Sequence, residues 1–350
     1  MTLTNFRSLG RSGLVVSPLA LGTMTFGTPR WGSPDDVSEA IFNAYVDAGG
    51  NFIDTADVYA KGRSEELTGA YIADRKLRDN LVLATKYSFN AEPGNPNAGG
   101  NGRKNLHRAL EGSLRRLKTD YVDLFWMHVW DQITPIEEVL QSMGDLVRSG
   151  KIRYFGFSDI PAWYAASAAA TARVRGIPGP IALQVEYSLI ERAIEYEYIS
   201  MAREYGLGIT PWSPLAAGFL AGKYSRDSKG NVQTGGGRLN LNLPSFQKFN
   251  EKNWQVLDVL RKVSHEASLP MSKVALAWVS AQPGVTSLIL GASKLEQLHE
   301  NIASLEVTLT AEQLSELDEG TAPELVSPYL MARPEVKLGI FGGTEVKSWH

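Results

Sequence analysis

The sequence predicts an α/β fold, a (β/α)8 TIM barrel with an N-terminal β-hairpin and a C-terminal extension. Eight short apolar runs alternate with longer segments of helical periodicity, which is typical of a parallel sheet. A doubly wound sheet shows the same alternation, but it usually carries G-x-G-x-x-G after its first strand, and this chain has no such match. The 350 residues contain no obvious linker, so we expect one barrel domain over residues 1–350.

The strands follow one another in a regular order. A hairpin is predicted first, because the segments NFRSL and LVVS flank the turn GRSG. The eight barrel strands are then predicted within LALGT, GNFIDTA, LVLATKY, YVDLFWMH, IRYFGFS, ALQVEYS, GLGITPWSP and SLILGAS.

Helices are predicted between these strands, and several begin at Ser, Asp or Pro, the residues that helix starts prefer. Their predicted starts lie near Asp36, Ser64, Asn105, Pro135, Pro161, Ile194, Asn253 and Lys294. The last segment, residues 320–350, is an extension that we expect to cover the barrel mouth or to contact a neighbouring subunit.

Composition narrows the function to small-molecule chemistry. Hydrophobic residues make up 43% and charged residues 21%, as in a soluble globular protein. The net charge of -3 and the scattered Lys and Arg residues provide neither a basic face for nucleic acid nor a polybasic membrane anchor. No apolar run approaches the roughly 18 residues that span a bilayer. The chain has no cysteine and no apolar leader, so we expect a cytoplasmic protein without a metal site.

Ionisable residues end three successive strands of the predicted barrel. Asp54 ends NFID, Lys86 ends LVLATK and His128 ends DLFWMH, while Tyr59 follows the first of these strands on its connecting loop. Each residue alone has an ordinary structural explanation, such as a turn residue or a satisfied core histidine. Because a barrel gathers the carboxyl ends of its strands at one face, the four together predict a catalytic site.

The chemistry of this set is proton transfer. An ammonium about 4 Å from a phenol stabilises the phenolate by up to roughly 4 kcal/mol, so Lys86 is expected to lower the pKa of Tyr59 and make it a proton donor. Asp54 would keep Lys86 charged, and His128 would orient a substrate oxygen. Such a site protonates an alkoxide, but no side chain is a reductant, so carbonyl reduction would require a bound hydride donor.

These residues resemble the aldo-keto reductase family over nearly the whole chain, from LALGTMTFG to LHENI. The family tetrad falls on Asp54, Tyr59, Lys86 and His128, in motifs that resemble its D-T-A-x-x-Y signature and its T-K strand end. The resemblance implies a (β/α)8 barrel and reduction of aldehydes or ketones with NADPH. The segment LGASKLEQLHEN resembles the branch of bacterial aryl-alcohol reductases and potassium-channel β subunits.

The resemblance also implies a set of cofactor-binding residues, with Trp212 stacked on the nicotinamide. Asp159 departs from the pattern, because the family usually has Asn there, and an ionised Asp cannot donate to the carboxamide oxygen. Lys223, Arg238 and Ser293 are expected to meet a 2′-phosphate, which favours NADP over NAD, with NADH kept as an alternative. The full set is Gly22, Thr23, Met24, Asp54, Ser158, Asp159, Gln184, Trp212, Ser213, Leu215, Gly218, Lys223, Arg238, Gly291, Ser293, Gln297, Glu300 and Asn301.

Aromatic residues near the predicted mouth suggest a pocket for an aromatic or other bulky carbonyl compound or alcohol. Trp31, Tyr87 and Trp130, together with Phe26, are expected to wall this pocket. Two other functions remain open at this point. A strand-end lysine also suits a Schiff-base aldolase that uses Lys86, and the channel-related branch suggests an NADPH-binding, redox-sensing regulatory subunit with little turnover. Oligomerisation, the physiological substrate and the favoured direction stay open.

Overall fold

The computed structural model describes residues 1–28, 31–227, 232–234, 239 and 247–347. Its strands are β1 (Arg7–Ser8), β2 (Val15–Val16), β3 (Leu19–Gly22), β4 (Phe52–Asp54), β5 (Val82–Tyr87), β6 (Val122–Met127), β7 (Ile152–Ser158), β8 (Ala182–Glu186), β9 (Gly208–Trp212), β10 (Tyr224–Arg226), β11 (Val232–Thr234) and β12 (Leu288–Leu290). Its helices are α1 (Asp35–Asp47), α2 (Arg63–Asp74), α3 (Arg103–Leu117), α4 (Ile136–Arg148), α5 (Ala162–Arg175), α6 (Tyr198–Tyr205), α7 (Glu251–Glu266), α8 (Met271–Ala281), α9 (Leu295–Ile302), α10 (Ala311–Gly320) and α11 (Pro334–Ile340).

Eight parallel strands form the barrel in the order β12-β3-β4-β5-β6-β7-β8-β9. The ring closes between β9 and the residues before β12, where the Thr286 amide donates to the Ile209 carbonyl at 2.8 Å and the Ile209 amide donates to the Gly284 carbonyl at 3.0 Å. All eight predicted strands are confirmed, and so is the (β/α)8 barrel.

The predicted hairpin is also confirmed, since β1 and β2 pair antiparallel. It lies under the amino ends of the barrel strands, where Leu9, Leu14 and Val16 pack against residues inside the barrel such as Leu124 and Trp126. The hairpin therefore closes the bottom of the barrel with apolar side chains.

Proline sets the start of several helices. Pro34, Pro135, Pro161 and Pro270 each occupy the N-cap position, with extended ψ, immediately before α1, α4, α5 and α8. A proline lacks the N–H that a helix start leaves unpaired, so it stops the preceding segment at no hydrogen-bonding cost. The helix predicted near Ile194 begins later, at Tyr198, because a 3₁₀ turn over Ala193–Glu195 precedes it.

The C-terminal extension lies beside the barrel mouth. The ring of Tyr329 stacks on Tyr196, with centroids 4.9 Å apart, and its hydroxyl donates to Glu197 at the start of α6. None of residues 322–347 lines the cavity described below, and the cover over the mouth stays a prediction. Met331 and Ile340 are exposed apolar side chains of the extension. The predicted contact with another subunit stays a prediction.

Candidate functional site

The barrel brings the four predicted catalytic residues together. β4 ends at Asp54, Lys86 lies near the end of β5, and His128 directly follows β6. Since these strands are parallel neighbours, the three side chains meet at the carboxyl face of the barrel. Tyr59 begins a 3₁₀ turn after β4, in which Ala60 has a positive φ of 47°, and this tight turn brings the phenol back over the strand ends.

Lys86 lies fully buried at the centre of this group. Its Nζ donates to Asp54 Oδ1, to the Thr55 carbonyl at 2.9 Å and to the Tyr59 hydroxyl at 3.3 Å. Burial alone would lower the pKa of a lysine, but the attraction of Asp54 and Tyr59 outweighs it, and the pKa of Lys86 is raised. The second oxygen of Asp54 accepts from Gln184 Nε2 at 3.0 Å. Lys86 is therefore a fixed positive charge beneath Tyr59.

The pKa of Tyr59 differs from the expectation. Burial raises it more than the Lys86 charge lowers it, so the pKa of Tyr59 is raised overall and the predicted decrease is wrong. The phenol accordingly keeps its proton at neutral pH. Because its oxygen accepts from Lys86, its own O–H can point into the cavity that Tyr59 lines.

His128 is a neutral imidazole beside this phenol. Its ring centroid lies 5.9 Å from that of Tyr59 and 4.9 Å from that of Phe89, both edge to face. Burial and the nearby Lys86 charge hold the pKa of His128 well below its usual value. Its buried Nδ1 has no hydrogen-bond partner among the described residues. A proton on Nε2 therefore leaves no buried donor unpaired, and this tautomer supplies one N–H donor.

The carboxyl face opens into a cavity of about 960 Å³, at the upper end of the range for small-molecule sites. Lys86 lies beneath its floor, and the other three catalytic candidates line it. The predicted cofactor and substrate residues that line it are Gly22, Met24, Trp31, Ser158, Asp159, Gln184, Trp212, Ser213, Leu215, Gly218, Lys223, Gly291, Ser293, Gln297, Glu300 and Asn301.

Several groups that line the cavity suit an anion. Lys223 runs along Gly218, and Lys294 lies at the N-terminus of α9. The Ser293 amide donates to Gln297 Oε1 at 3.0 Å, which orders the turn into this helix. Two ammonium groups and a helix N-terminus together favour a phosphate group.

The cavity is also lined by polar groups at or near the ends of β7, β8 and β9. Trp212 Nε1 donates to Asp159 Oδ1 at 3.0 Å, and the buried Ser158 hydroxyl has no partner among the described residues. Burial and the negative charge of Glu186 raise the pKa of Asp159 to about 7, although the Trp212 hydrogen bond lowers it. Asp159 is therefore not permanently ionised near neutral pH, contrary to the form that we assumed from the sequence.

These groups fit a nicotinamide dinucleotide. The unpartnered Ser158 hydroxyl can pair with an amide, and the Trp212 ring offers a face for a planar ring. Gly291 leaves open space, since an added Cβ would first meet Thr25 at 3.9 Å. Lys223 and Lys294 line the same cavity, as a dinucleotide with phosphate groups requires.

Some predicted residues lie elsewhere. Tyr87 is fully buried and stacks on Phe125 at 5.0 Å, because alternate strand residues face opposite sides and Lys86 faces the barrel interior. Trp130 packs against Trp163 at 5.5 Å, so neither Tyr87 nor Trp130 lines the cavity, and their predicted roles as its walls are not supported. Buried Phe26 and Thr23 do not line it either, and Arg238 lies outside the described residues.

Other residues line the cavity that were not predicted from the sequence. They sit in the loops that follow barrel strands, on the flanking helices or, for Ile289 and Leu290, in β12 itself, where no ionisable strand end marks them. Lys294 had a visible signal in GASKLEQ, between two predicted cofactor residues. The full set is Thr25, Val58, Phe89, Pro214, Ala217, Ala221, Ser272, Ile289, Leu290 and Lys294.

Two further buried carboxyl groups, those of Asp57 and Glu65, lie near the loop that carries Tyr59. Arg116 Nε donates to Glu65 Oε2 at 2.6 Å, and the Asp57 amide donates to the Lys86 carbonyl at 3.2 Å. Asp57 Oδ1 has no partner within the described chain. Burial and the nearby Glu65 charge raise the pKa of Asp57 to about 7. This carboxyl therefore keeps its proton in mildly acidic solution, where an exposed Asp is ionised.

Within the described ranges, no group of three or more His, Asp and Glu side chains is placed to hold a metal ion. No helix in those ranges is both long enough and apolar enough to cross a membrane.

Comparison with known proteins gives one consistent result. The sequence profile described as “Aldo/keto reductase family” matches residues 18–321. An aryl-alcohol dehydrogenase (NADP(+)) from Phanerodontia chrysosporium is 34% identical over 335 residues, covering 91% of this chain and 86% of the relative. A “Probable voltage-gated potassium channel subunit beta” from Oryza sativa subsp. japonica is 37% identical over 333 residues, covering 89% and 95%. Norsolorinic acid reductase A from Aspergillus parasiticus is 32% identical over 319 residues, covering 88% and 78%.

Proposed function

Because this chain belongs to the aldo/keto reductase family and is an oxidoreductase, we propose that it reduces an aromatic aldehyde or ketone reversibly with NADPH, using Tyr59 as the proton donor. One observation carries the proposal. The Asp54, Lys86, Tyr59 and His128 group lies at a cavity that Lys223 and Lys294 also line. A proton donor and groups that suit a phosphate thus belong to one cavity.

The side chains divide the proton chemistry among them. The cofactor, when bound, supplies a hydride to the carbonyl carbon. Tyr59 gives its proton to the carbonyl oxygen, which becomes the hydroxyl group of the alcohol product. The Lys86 charge, held by Asp54, stabilises the phenolate that remains on Tyr59. The neutral His128 donates its single N–H to the same oxygen and orients the carbonyl.

NADPH is favoured by two positive charges among the residues that line the cavity. Lys223, Lys294 and the polar Ser293 would meet a 2′-phosphate, which NADH lacks. The name of the Phanerodontia chrysosporium relative also specifies NADP(+). NADH is the comparison that tests this choice.

An aromatic substrate is favoured by the apolar wall around the proton donor. Trp31, Val58, Phe89 and Trp212 line the cavity together with Tyr59. Flat aromatic surfaces of this kind suit a planar ring. Relatives named aryl-alcohol dehydrogenase and norsolorinic acid reductase agree with this choice. We include a cytoplasmic location in the proposal, since a chain without cysteine has no disulfide to form.

The two other functions are supported unequally. A Schiff-base aldolase needs a neutral lysine, whereas Lys86 is fully buried, donates to three oxygens and has a raised pKa. A redox-sensing regulatory subunit is favoured by the similarity to the rice channel subunit. Such a subunit would bind the cofactor with little turnover.

The test combines cofactor binding with turnover. We expect NADPH to bind and to be oxidised in the presence of aromatic aldehydes, with NADH much less effective. Binding of NADPH without oxidation across aldehydes, ketones and quinones would favour the regulatory subunit. Failure of both cofactors to bind would contradict both functions, and trapping of a substrate on Lys86 by borohydride would favour the aldolase.

A further inference from the structure

Asp159 is a carboxylate on the cavity wall without a counter-ion. It follows β7 with a positive φ of 44°, and its amide donates to the Gln184 carbonyl at 3.1 Å. Its Oδ1 accepts from Trp212 Nε1 at 3.0 Å. Within the described part of the chain, no Lys, Arg or His nitrogen lies within ion-pair distance of it. The protein therefore leaves the charge of this carboxylate without a salt bridge.

The charged groups that face Asp159 are already engaged elsewhere. Lys86 favours its ionised form, but Asp54 pairs with that ammonium. Glu186 on β8 opposes ionisation and pairs with Lys248 at 2.8 Å. The remaining titratable neighbours are phenols, Tyr59 on the loop after β4 and Tyr198 on α6. A cation that entered the cavity would be the nearest partner still unpaired.

We propose that Asp159 makes the site sense the oxidation state of its cofactor, because the ionised carboxylate binds the cationic oxidised nicotinamide in preference to the neutral reduced one. This inference rests on the proposed function, since it requires that a nicotinamide cofactor occupies the cavity. It assigns Asp159 a role in cofactor discrimination that is separate from proton transfer by Tyr59.

The position of Asp159 gives the interaction its strength. Asp159 adjoins Gln184, which contacts Asp54, so it lies on the cavity wall near the proton donor, where the reactive ring must sit. If about 10 Å separated the carboxylate from the oxidised ring, an effective dielectric of about 20 would let opposite unit charges favour binding by roughly tenfold. The reduced ring carries no charge and gains nothing from this attraction.

Protonation controls this preference. Burial and Glu186 raise the pKa of Asp159 to about 7, so the carboxylate gains its charge as the pH rises through neutrality. Affinity for the oxidised cofactor should therefore rise with pH relative to affinity for the reduced one. By linkage, the bound oxidised cofactor lowers the pKa of Asp159 and releases a proton. A 2′-phosphate titrates in both cofactors, so it cancels in the ratio of their dissociation constants.

The test measures dissociation constants of NADP and NADPH by calorimetry, from about one pH unit below to about one above the pKa of Asp159. We expect the ratio of the NADP constant to the NADPH constant to fall about fivefold across this range, because part of the preference is already present at its lower end. Asp159→Asn keeps an oxygen acceptor for Trp212 but carries no charge, so its ratio should stay flat. Asp120→Asn, an exposed change outside the cavity, should behave like the unmodified protein.

A second variant tests the direction of the effect. Glu186→Gln removes the negative charge that opposes ionisation of Asp159, while Lys248 keeps Glu191 at 4.0 Å, so the change in ratio should move to lower pH. A pH-independent ratio in the unmodified protein, or an unchanged pH dependence in Asp159→Asn, would overturn the inference while cofactor binding still supported the proposed function. Failure of both cofactors to bind would instead overturn the proposed function and this inference with it.

Discussion

The two ends of the barrel differ in what they bury: apolar side chains at the bottom and a charged side chain at the mouth. At the bottom, Leu9 and Val16 of the hairpin are fully buried against Leu124 and Trp126. At the mouth, by contrast, a charged side chain, that of Lys86, is fully buried. The bottom gains free energy by removing apolar area from water, at about 25 cal/mol per Å². The mouth must instead offset the cost of a buried charge.

This difference predicts that the residues which stabilise the fold and the residues which carry the chemistry lie at opposite ends of the barrel. Lys86 is tolerated because Asp54, the Thr55 carbonyl and Tyr59 supply three oxygen partners. Buried ion pairs of this kind add little stability against an apolar replacement, although breaking one is costly. Changes at the mouth should therefore alter turnover, and changes at the bottom should alter stability.

The largest expected effect is at the mouth. Tyr59→Phe removes the proton donor but keeps the ring beside His128, so turnover should fall by about 10²–10⁴-fold while cofactor affinity changes little. Steady-state kinetics and calorimetry check the two quantities separately. Tyr164→Phe is the matched control, because that buried hydroxyl has no partner among the described residues and its loss should leave turnover unchanged. Near-normal turnover of Tyr59→Phe would show that another group supplies the proton.

At the bottom, Leu124→Ala should reverse this outcome. Leu124 is fully buried inside the barrel in the cluster that includes the hairpin, so its truncation should lower the free energy of unfolding by about 2–5 kcal/mol. Urea unfolding measures this loss. The turnover number per folded molecule should stay unchanged, and a fall in that number would mean that the two ends are coupled.

Asp57 should make stability depend on pH at the mouth. Its folded pKa of about 7 lies above the unfolded value of about 3.9, so the folded protein holds a proton that the unfolded chain releases. The free energy of unfolding should therefore fall as pH rises from about 4 to about 7, by on the order of 2–4 kcal/mol from this group. In Asp57→Asn this contribution to the slope should disappear. An unchanged slope in chemical unfolding would assign it to other groups.

The smallest effect is expected beside the mouth, in the extension. Ending the chain after Thr321 removes the Tyr329 stack on Tyr196 and mostly exposed side chains, so the free energy of unfolding should change by about 1 kcal/mol or less. Turnover should persist, since no residue of the described extension lines the cavity. A change of oligomeric state on truncation, measured by sedimentation, would support the predicted subunit contact.

The alternation of apolar runs and helical segments was sufficient to predict all eight barrel strands. It did not predict α8, because two helices, α7 and α8, precede β12 where the alternation leads one to expect a single helix. The helix α10 was also missed, although Thr310 and Gln313 form a capping box at its start. The capping signal of α10 was present in the sequence, but α8 and α10 each follow another helix with no barrel strand between, so the strand–helix alternation did not predict them.

Chain order and side-chain chemistry were enough to bring Asp54, Tyr59, Lys86 and His128 to one face, because parallel strands in a barrel end together. The protonation of Tyr59 and Asp159 was settled by folding. A pKa depends on how far water is excluded and on charges such as Glu186 that arrive from distant strands. The burial of Tyr87 beside the inward-facing Lys86 likewise followed from the packing of helices around the strands.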